Sequence, residues 1–186
     1  MTSNRDEKIR WLLEVDDARR TGDVDRLMQL LRHGALLGRH DALRAAIEAL
    51  GDLGAAQSVD LRADYVADAD ERTRVVAIVA LRTLRSSSAS SHLIAALSDT
   101  VDRVVWCAAD ALAEIRTQDA VPALAAVLQS HRNWWPRRSA ARALALIGGA
   151  DSLTALSRAR QSERNPLRRR ALSAYVRQAE ASVVNS

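Results

Sequence analysis

A short leucine phrase returns along this chain at an almost constant interval. Ala49-Leu50, Ala80-Leu81, Ala111-Leu112 and Ala143-Leu144 stand 31, 31 and 32 residues apart, and each is followed three residues later by Leu53, Leu84, Ile115 or Ile147. Units of this length bury their apolar faces only by stacking on neighbours. The period therefore predicts an all-α helical solenoid, read as one continuous stack. Few β-branched runs alternate with period two, so strands have little support.

Each unit resolves into two helices, A then B. In the third, the A helix starts near Ser88 and carries Leu93, Ile94 and Leu97, while the B helix carries Val104, Ala108, Ala111, Leu112 and Ile115 at helical spacing. The same frame puts A helices near 23–33, 55–67, 88–98, 119–129 and 150–161. It puts B helices near 40–53, 71–84, 102–115, 136–148 and 166–181, which makes about five repeats. Asp102 stands before its B helix with the side chain of an N-cap. Pro122, Pro136 and Pro166 fall in first turns, where a missing N–H costs nothing. Gly54 and Gly148-Gly149 fall where a B helix must end in a left-handed conformation.

Residues 1–22 read as an N-terminal cap helix, with Ile9, Trp11, Leu12, Leu13 and Val15 forming its apolar side and Arg5, Asp6, Glu7, Asp16, Asp17, Arg19 and Arg20 its polar one. Residues 23–181 are the repeats, and 182–186 a frayed tail. Phe is absent and aromatics are 3% of the chain, so the interior must be built from Ala, Leu, Val and Ile, which lets helices approach closely. The single Cys107 allows no intramolecular disulfide, and the opening segment lacks the apolar stretch of a secretory signal. With no run of about 18 apolar residues either, the sequence predicts a cytoplasmic protein without a membrane span.

The segments DALRAAIEALGDLG (41–54), DRVVWCAADALAEI (102–115) and PRRSAARALALIGG (136–149) resemble the HEAT-repeat family, particularly the short subtype also found in phycobilisome bilin lyases. The resemblance covers roughly residues 23–180. It implies a right-handed α-solenoid whose B helices line the concave surface. The second unit departs from the phrase: Arg85 replaces the terminal Gly, and Ser86-Ser87-Ser88 lengthen the polar turn, so that join is expected to be looser. The run SSSASS fits helix caps and turn filling better than a phosphorylation segment.

Stacking aligns equivalent B-helix positions into columns. One reads Arg44, Val75, Trp106, Arg137 or Arg138, and Arg168 or Arg169, the alternatives arising from a one-residue insertion near Trp134-Trp135. The next reads Glu48, Val79, Asp110, Arg142 and Ser173. Neither keeps the Ala or Leu of the core, so both are expected to face a partner. Trp and Arg dominate binding hot spots, although Trp106 could instead fill a gap between adjacent B helices.

Charge points to the same end of the chain. The net charge is +4, but residues 131–186 hold 11 Arg against 3 acids. Of 27 cationic residues only Lys8 is not Arg, and guanidinium binds planar anions bidentately and stacks on aromatics. Arg132, Trp134 and Trp135 interleave cation and indole in a manner suited to nucleic acid.

The leading expectation is a non-catalytic scaffold that binds a protein segment along the B-helix face, with nucleic-acid binding through the Arg-rich third as the alternative. The histidines His33, His40, His92 and His131 are followed by Gly, Asp, Leu and Arg, so the repeated His-Glu pairs of metal-dependent HEAT enzymes such as deoxyhypusine hydroxylase are missing. No metal or other cofactor is expected. Trp106, Asp110 and Arg142 also resemble the Trp, Asp and Arg of HEAT-like alkylpurine DNA glycosylases, which implies a third, less favoured reading. A salt bridge between Asp110 and Arg142 is the simpler one. No Gly-rich phosphate loop or nucleophile elbow is present.

Overall fold

The computed structural model describes residues 4–36, 40–55, 58–85 and 87–184. Among them no strand occurs, and helices follow one another throughout. The chain divides into two compact units, Met1–Ala89 and Ser90–Ser186. The division falls inside SSSASS, in the polar join where the second repeat loses its glycine.

The first unit begins with α1 (Asn4–Thr21), followed by the pairs α2 (Val24–Leu36) with α3 (His40–Asp52) and α4 (Val59–Ala63) with α5 (Glu71–Leu84). Helix α1 packs on α2 and α3, and α3 packs on α5. Only part of the expected apolar side of α1 is used. Trp11 and Val15 are buried, with Trp11 tilted against His33 at 6.0 Å, whereas Ile9, Leu12 and Leu13 are exposed. At α4 the A helix shrinks to five residues and continues as a 3-10 turn over Asp64–Ala67. Beside it lies Arg62, fully buried, donating from Nε to the Ser58 carbonyl (3.3 Å) and from a terminal nitrogen to that of Ala55 (3.1 Å). Burial without a carboxylate partner lowers its pKa to about 10.

The second unit contains α6 (Ser90–Ala96), α7 (Asp102–Ile115), α8 (Val121–Ser130), α9 (Trp134–Ile147), α10 (Gly149–Ser162) and α11 (Pro166–Val184). B helices stack in series, α7 on α9 and α9 on α11, while the A helix α8 packs on α10. Helix α11 runs to Val184, three residues into the expected tail; residues 185 and 186 lie outside the described part. The repeated phrase is the core of both units, because Leu50, Leu81, Leu112 and Leu144 are all completely buried.

Helix ends follow the sequence at some positions and depart from it at others. Asp70 caps α5 by accepting from the Thr73 backbone N–H at 3.1 Å. Asp102 does not cap: Val101 occupies that position, Asp102 is already helical, and its carboxylate accepts from Asn133 Nδ2 at 2.7 Å. Asn133 in turn caps α9, its Oδ1 accepting from the Trp135 N–H at 3.1 Å. Helix α9 therefore starts two residues before Pro136, which still lies among the N-terminal positions that need no intrahelical donor. Gly54 and Gly148 take positive φ, and so do Arg85 (50°) and Arg116 (59°), which end α5 and α7.

Candidate functional site

The expected columns differ between the two units. In the first, Arg44 and Val75 are taken up within the unit, while Glu48 and Val79 stay exposed. Arg44 on α3 reaches Asp70 at the start of α5 (2.8 Å) and also pairs with Asp41 on its own helix. Its guanidinium thus ties consecutive B helices together. Asp70 serves both this contact and its capping role; burial pushes its carboxyl up, but hydrogen bonds from Thr73 and the charges of Arg44 and His40 outweigh that and leave it below its ordinary value. Val75, expected to face a partner, is instead a core residue at 7% exposure, since its side chain points into the packing that surrounds α5. Val79 is partly exposed and Glu48 exposed.

In the second unit the same columns open onto the surface. Trp106, aligned with Val75, is 43% exposed and does not fill a gap between helices. Its Nε1 donates to Asp110 Oδ2 at 2.9 Å, the one-turn spacing on α7 bringing indole and carboxylate together. The other oxygen of Asp110 accepts from Arg142 on α9, also at 2.9 Å. One carboxylate therefore fixes an indole edge and a guanidinium from two adjacent B helices.

Around this trio Trp135, Arg138, Ser139 and Tyr175 complete a surface cleft of roughly 400 Å³. Trp135 is 57% exposed, and the Arg138 guanidinium lies over its ring, 5.7 Å from the centroid. That stacking holds the ring in place while one of its faces remains in solvent. Arg138 makes no ion pair among the described residues, in contrast to Arg142.

The insertion that left two arginine alternatives open sorts neighbours into opposite roles. Arg137 points inward: its Nε donates to the Leu128 carbonyl (2.8 Å), and it pairs with Glu163 at 3.1 Å. Glu163 is only 7% exposed. Burial pushes its carboxyl up, but the Asn165 backbone N–H together with Arg137 and Arg168 more than reverses this and holds it below the usual glutamate range. Arg169 donates twice to the Glu163 carbonyl, at 2.9 and 2.6 Å. Arg137 and Arg169, both expected to face a partner, thus brace the turn between α10 and α11. Arg168 lies over Trp134 at 5.3 Å with Arg137 also near that ring at 5.7 Å, so Trp134 is held among cations while Trp135 faces outward. Arg132 is exposed beside them.

Sequence reasoning missed Tyr175 and Glu163. Glu163 is one of only 3 acids in the last 56 residues, and that scarcity was the signal available for it. Tyr175 gave none, since it lies outside both columns. Among the described residues no cluster of His, Cys, Asp and Glu could hold a metal ion, and no helix is long and apolar enough to cross a membrane.

Residues 104–176, from α7 into α11, match the family model for HEAT repeats. No curated protein sequence matches the chain. Among solved structures, the chain is similar to an engineered protein at 19% identity and TM-score 0.63, over 89% of this chain and 81% of that one. A second engineered protein matches at 22% identity and TM-score 0.59, over 90% and 49%. Human deoxyhypusine hydroxylase in complex with glycerol matches at 18% identity and TM-score 0.54, over 90% and 77%. At such identities the likeness is one of fold, a helical repeat scaffold, and carries no activity across.

Proposed function

We propose that this HEAT-repeat chain is a non-catalytic adaptor whose second unit binds an acidic protein segment at the Trp106–Trp135 cleft. The observation that carries the reading is the pair of half-exposed indoles flanked by Arg138 and Arg142 on consecutive B helices. An apolar side chain of the segment would lie against the indole faces, where a large area is desolvated on a rigid support. Its carboxylates would pair with the guanidiniums, a geometry that favours bidentate contact. The first unit contributes scaffold, because its corresponding positions are occupied by the Arg44–Asp70 tie and by buried Val75.

A second reading, nucleic-acid binding, is favoured by the 11 Arg against 3 acids over residues 131–186. Fluorescence anisotropy separates the two. A labelled peptide of alternating Glu and Leu, a single-stranded and a duplex DNA, and an RNA are titrated with protein at several salt concentrations. The adaptor reading expects peptide binding with a shallow salt dependence. Tight oligonucleotide binding that weakens linearly in log salt, with a slope set by the phosphates neutralised, and that disappears on Arg138→Glu would replace it with the nucleic-acid reading.

A further inference from the structure

Asp110 is an acid placed at the centre of a cleft whose remaining charges are cationic, and both its oxygens are occupied. Oδ2 accepts from Trp106 and Oδ1 from Arg142. The two guanidiniums of the cleft therefore differ in the free protein: Arg138 is stacked on Trp135 with no ion pair among the described residues, whereas Arg142 is already neutralised from within. The Arg142 pair is also accessible, since that side chain is 38% exposed, against 16% for Arg137 in its pair with buried Glu163. A guanidinium carries five N–H donors, and only one of those on Arg142 is committed to Asp110. It can reach an incoming carboxylate by releasing a single hydrogen bond.

We infer that Asp110 is an internal stand-in for the partner's carboxylate: it holds Arg142 in the free protein, and the affinity of the cleft for an acidic segment is set by the exchange of one anion for the other. This rests on the acidic-segment reading above. Its consequence runs against the usual effect of removing a residue from a binding cleft, because loss of the Asp110 charge should tighten binding. Asp110 both competes for Arg142 and repels the incoming anion at close range. The Asn side chain keeps the shape of Asp, and its amide oxygen can still accept from the Trp106 indole.

The test uses the full chain and the labelled Glu-Leu peptide in Asp110→Asn, Asp110→Ser, Arg142→Ala and Asp110→Asn/Arg142→Ala, with thermal melts confirming that each is folded. Asp110→Asn is expected to bind about threefold to tenfold more tightly than the parent, the range open to one close charge pair at a wet site. Asp110→Ser reports on the same charge should the Asn variant fail to fold. The gain should shrink markedly when the double variant is compared with Arg142→Ala, where only the repulsion between Asp110 and the incoming anion is removed. Parent binding with no gain in either Asp110 variant overturns the inference and leaves the acidic-segment reading standing. An equal gain in the Arg142→Ala background also overturns it, because the effect would then be general charge removal. Absence of peptide binding in the parent and in every variant overturns the reading itself, and with it the inference.

Discussion

Val75 and Trp106 occupy the same position in successive repeats and have opposite surroundings. Val75 is buried in the first unit, while Trp106 stands in solvent in the second, its indole N–H tied to Asp110. In the first unit Arg44 closes on Asp70, whereas the second unit leaves indoles and a guanidinium facing outward. Repeat register fixes where a Cα lies along the stack. Side-chain exposure depends in addition on what the neighbouring helix presents. An exposed indole surface is then a local property of some repeats within an otherwise similar scaffold.

The sharpest way to break this contrast is to place a charge at both positions. Val75→Asp buries an unpaired carboxylate and should cost roughly 3 kcal/mol or more, enough to shift the denaturant midpoint of the chain strongly. Trp106→Asp should remain folded with a change of less than about 1 kcal/mol. Equal losses in chemical denaturation would mean that the two positions do not differ.

The adjacent arginines sharpen it further. Arg137→Ala strands the buried carboxylate of Glu163 and should destabilise by about 2 kcal/mol, less than the roughly 3–5 kcal/mol of a fully buried pair because Arg137 retains some contact with water. Arg138→Ala should leave stability within about 0.5 kcal/mol while weakening peptide binding. Thermal melts and anisotropy on the two variants read both effects, and a reversed order would exchange their roles.

Acid titration addresses the same brace. The folded Glu163 carboxyl lies below its ordinary value, so its contribution is fully present above about pH 4.3 and is lost as the pH falls through the depressed folded value. Asp70 in the first unit has the same sign. Circular dichroism against pH should therefore show acid destabilisation that is shallower in Glu163→Gln than in the parent. Identical acid limbs would show that Glu163 does not contribute.

The smallest effect is expected at the end of α7. Arg116 holds φ at 59°, a conformation that costs a residue with a Cβ about 1 kcal/mol. Arg116→Gly should raise stability by roughly 0.5 kcal/mol, once the greater freedom of glycine in the unfolded chain is set against that strain. A lower melting temperature would show that the Arg116 side chain makes stabilising contacts that outweigh it.

Helix positions and the Ala-Leu core were legible in the sequence because both are backbone periodicities that each repeat states again. The pairing of Trp106 with Asp110 was legible as a one-turn spacing on a single helix, but the sequence left open whether the indole faces solvent or fills a gap. What escaped was set by contacts across turns. Asn133 took the capping role at α9 and engaged Asp102, and Glu163 became the centre about which Arg137 and Arg169 are arranged. No pattern within one helix reports such partners. The one-residue insertion left 137 and 138 interchangeable on paper, and only packing against Leu128 and Glu163 separates them. The division at Ala89 was foreshadowed by the missing glycine and the serine-rich join, yet the intact 31-residue period argued for continuity.

The proposed adaptor role requires the exposed indole of Trp106 to belong to a binding surface and not to the core. Anisotropy of the labelled Glu-Leu peptide, measured on the parent and on Trp106→Ala alongside their melting curves, tests it most directly. Binding lost by tenfold or more, roughly the 1.4 kcal/mol or greater expected of a hot-spot indole, with the melting temperature unchanged, is the predicted result. A variant that binds as the parent does, or one that loses binding only because it has unfolded, would contradict it.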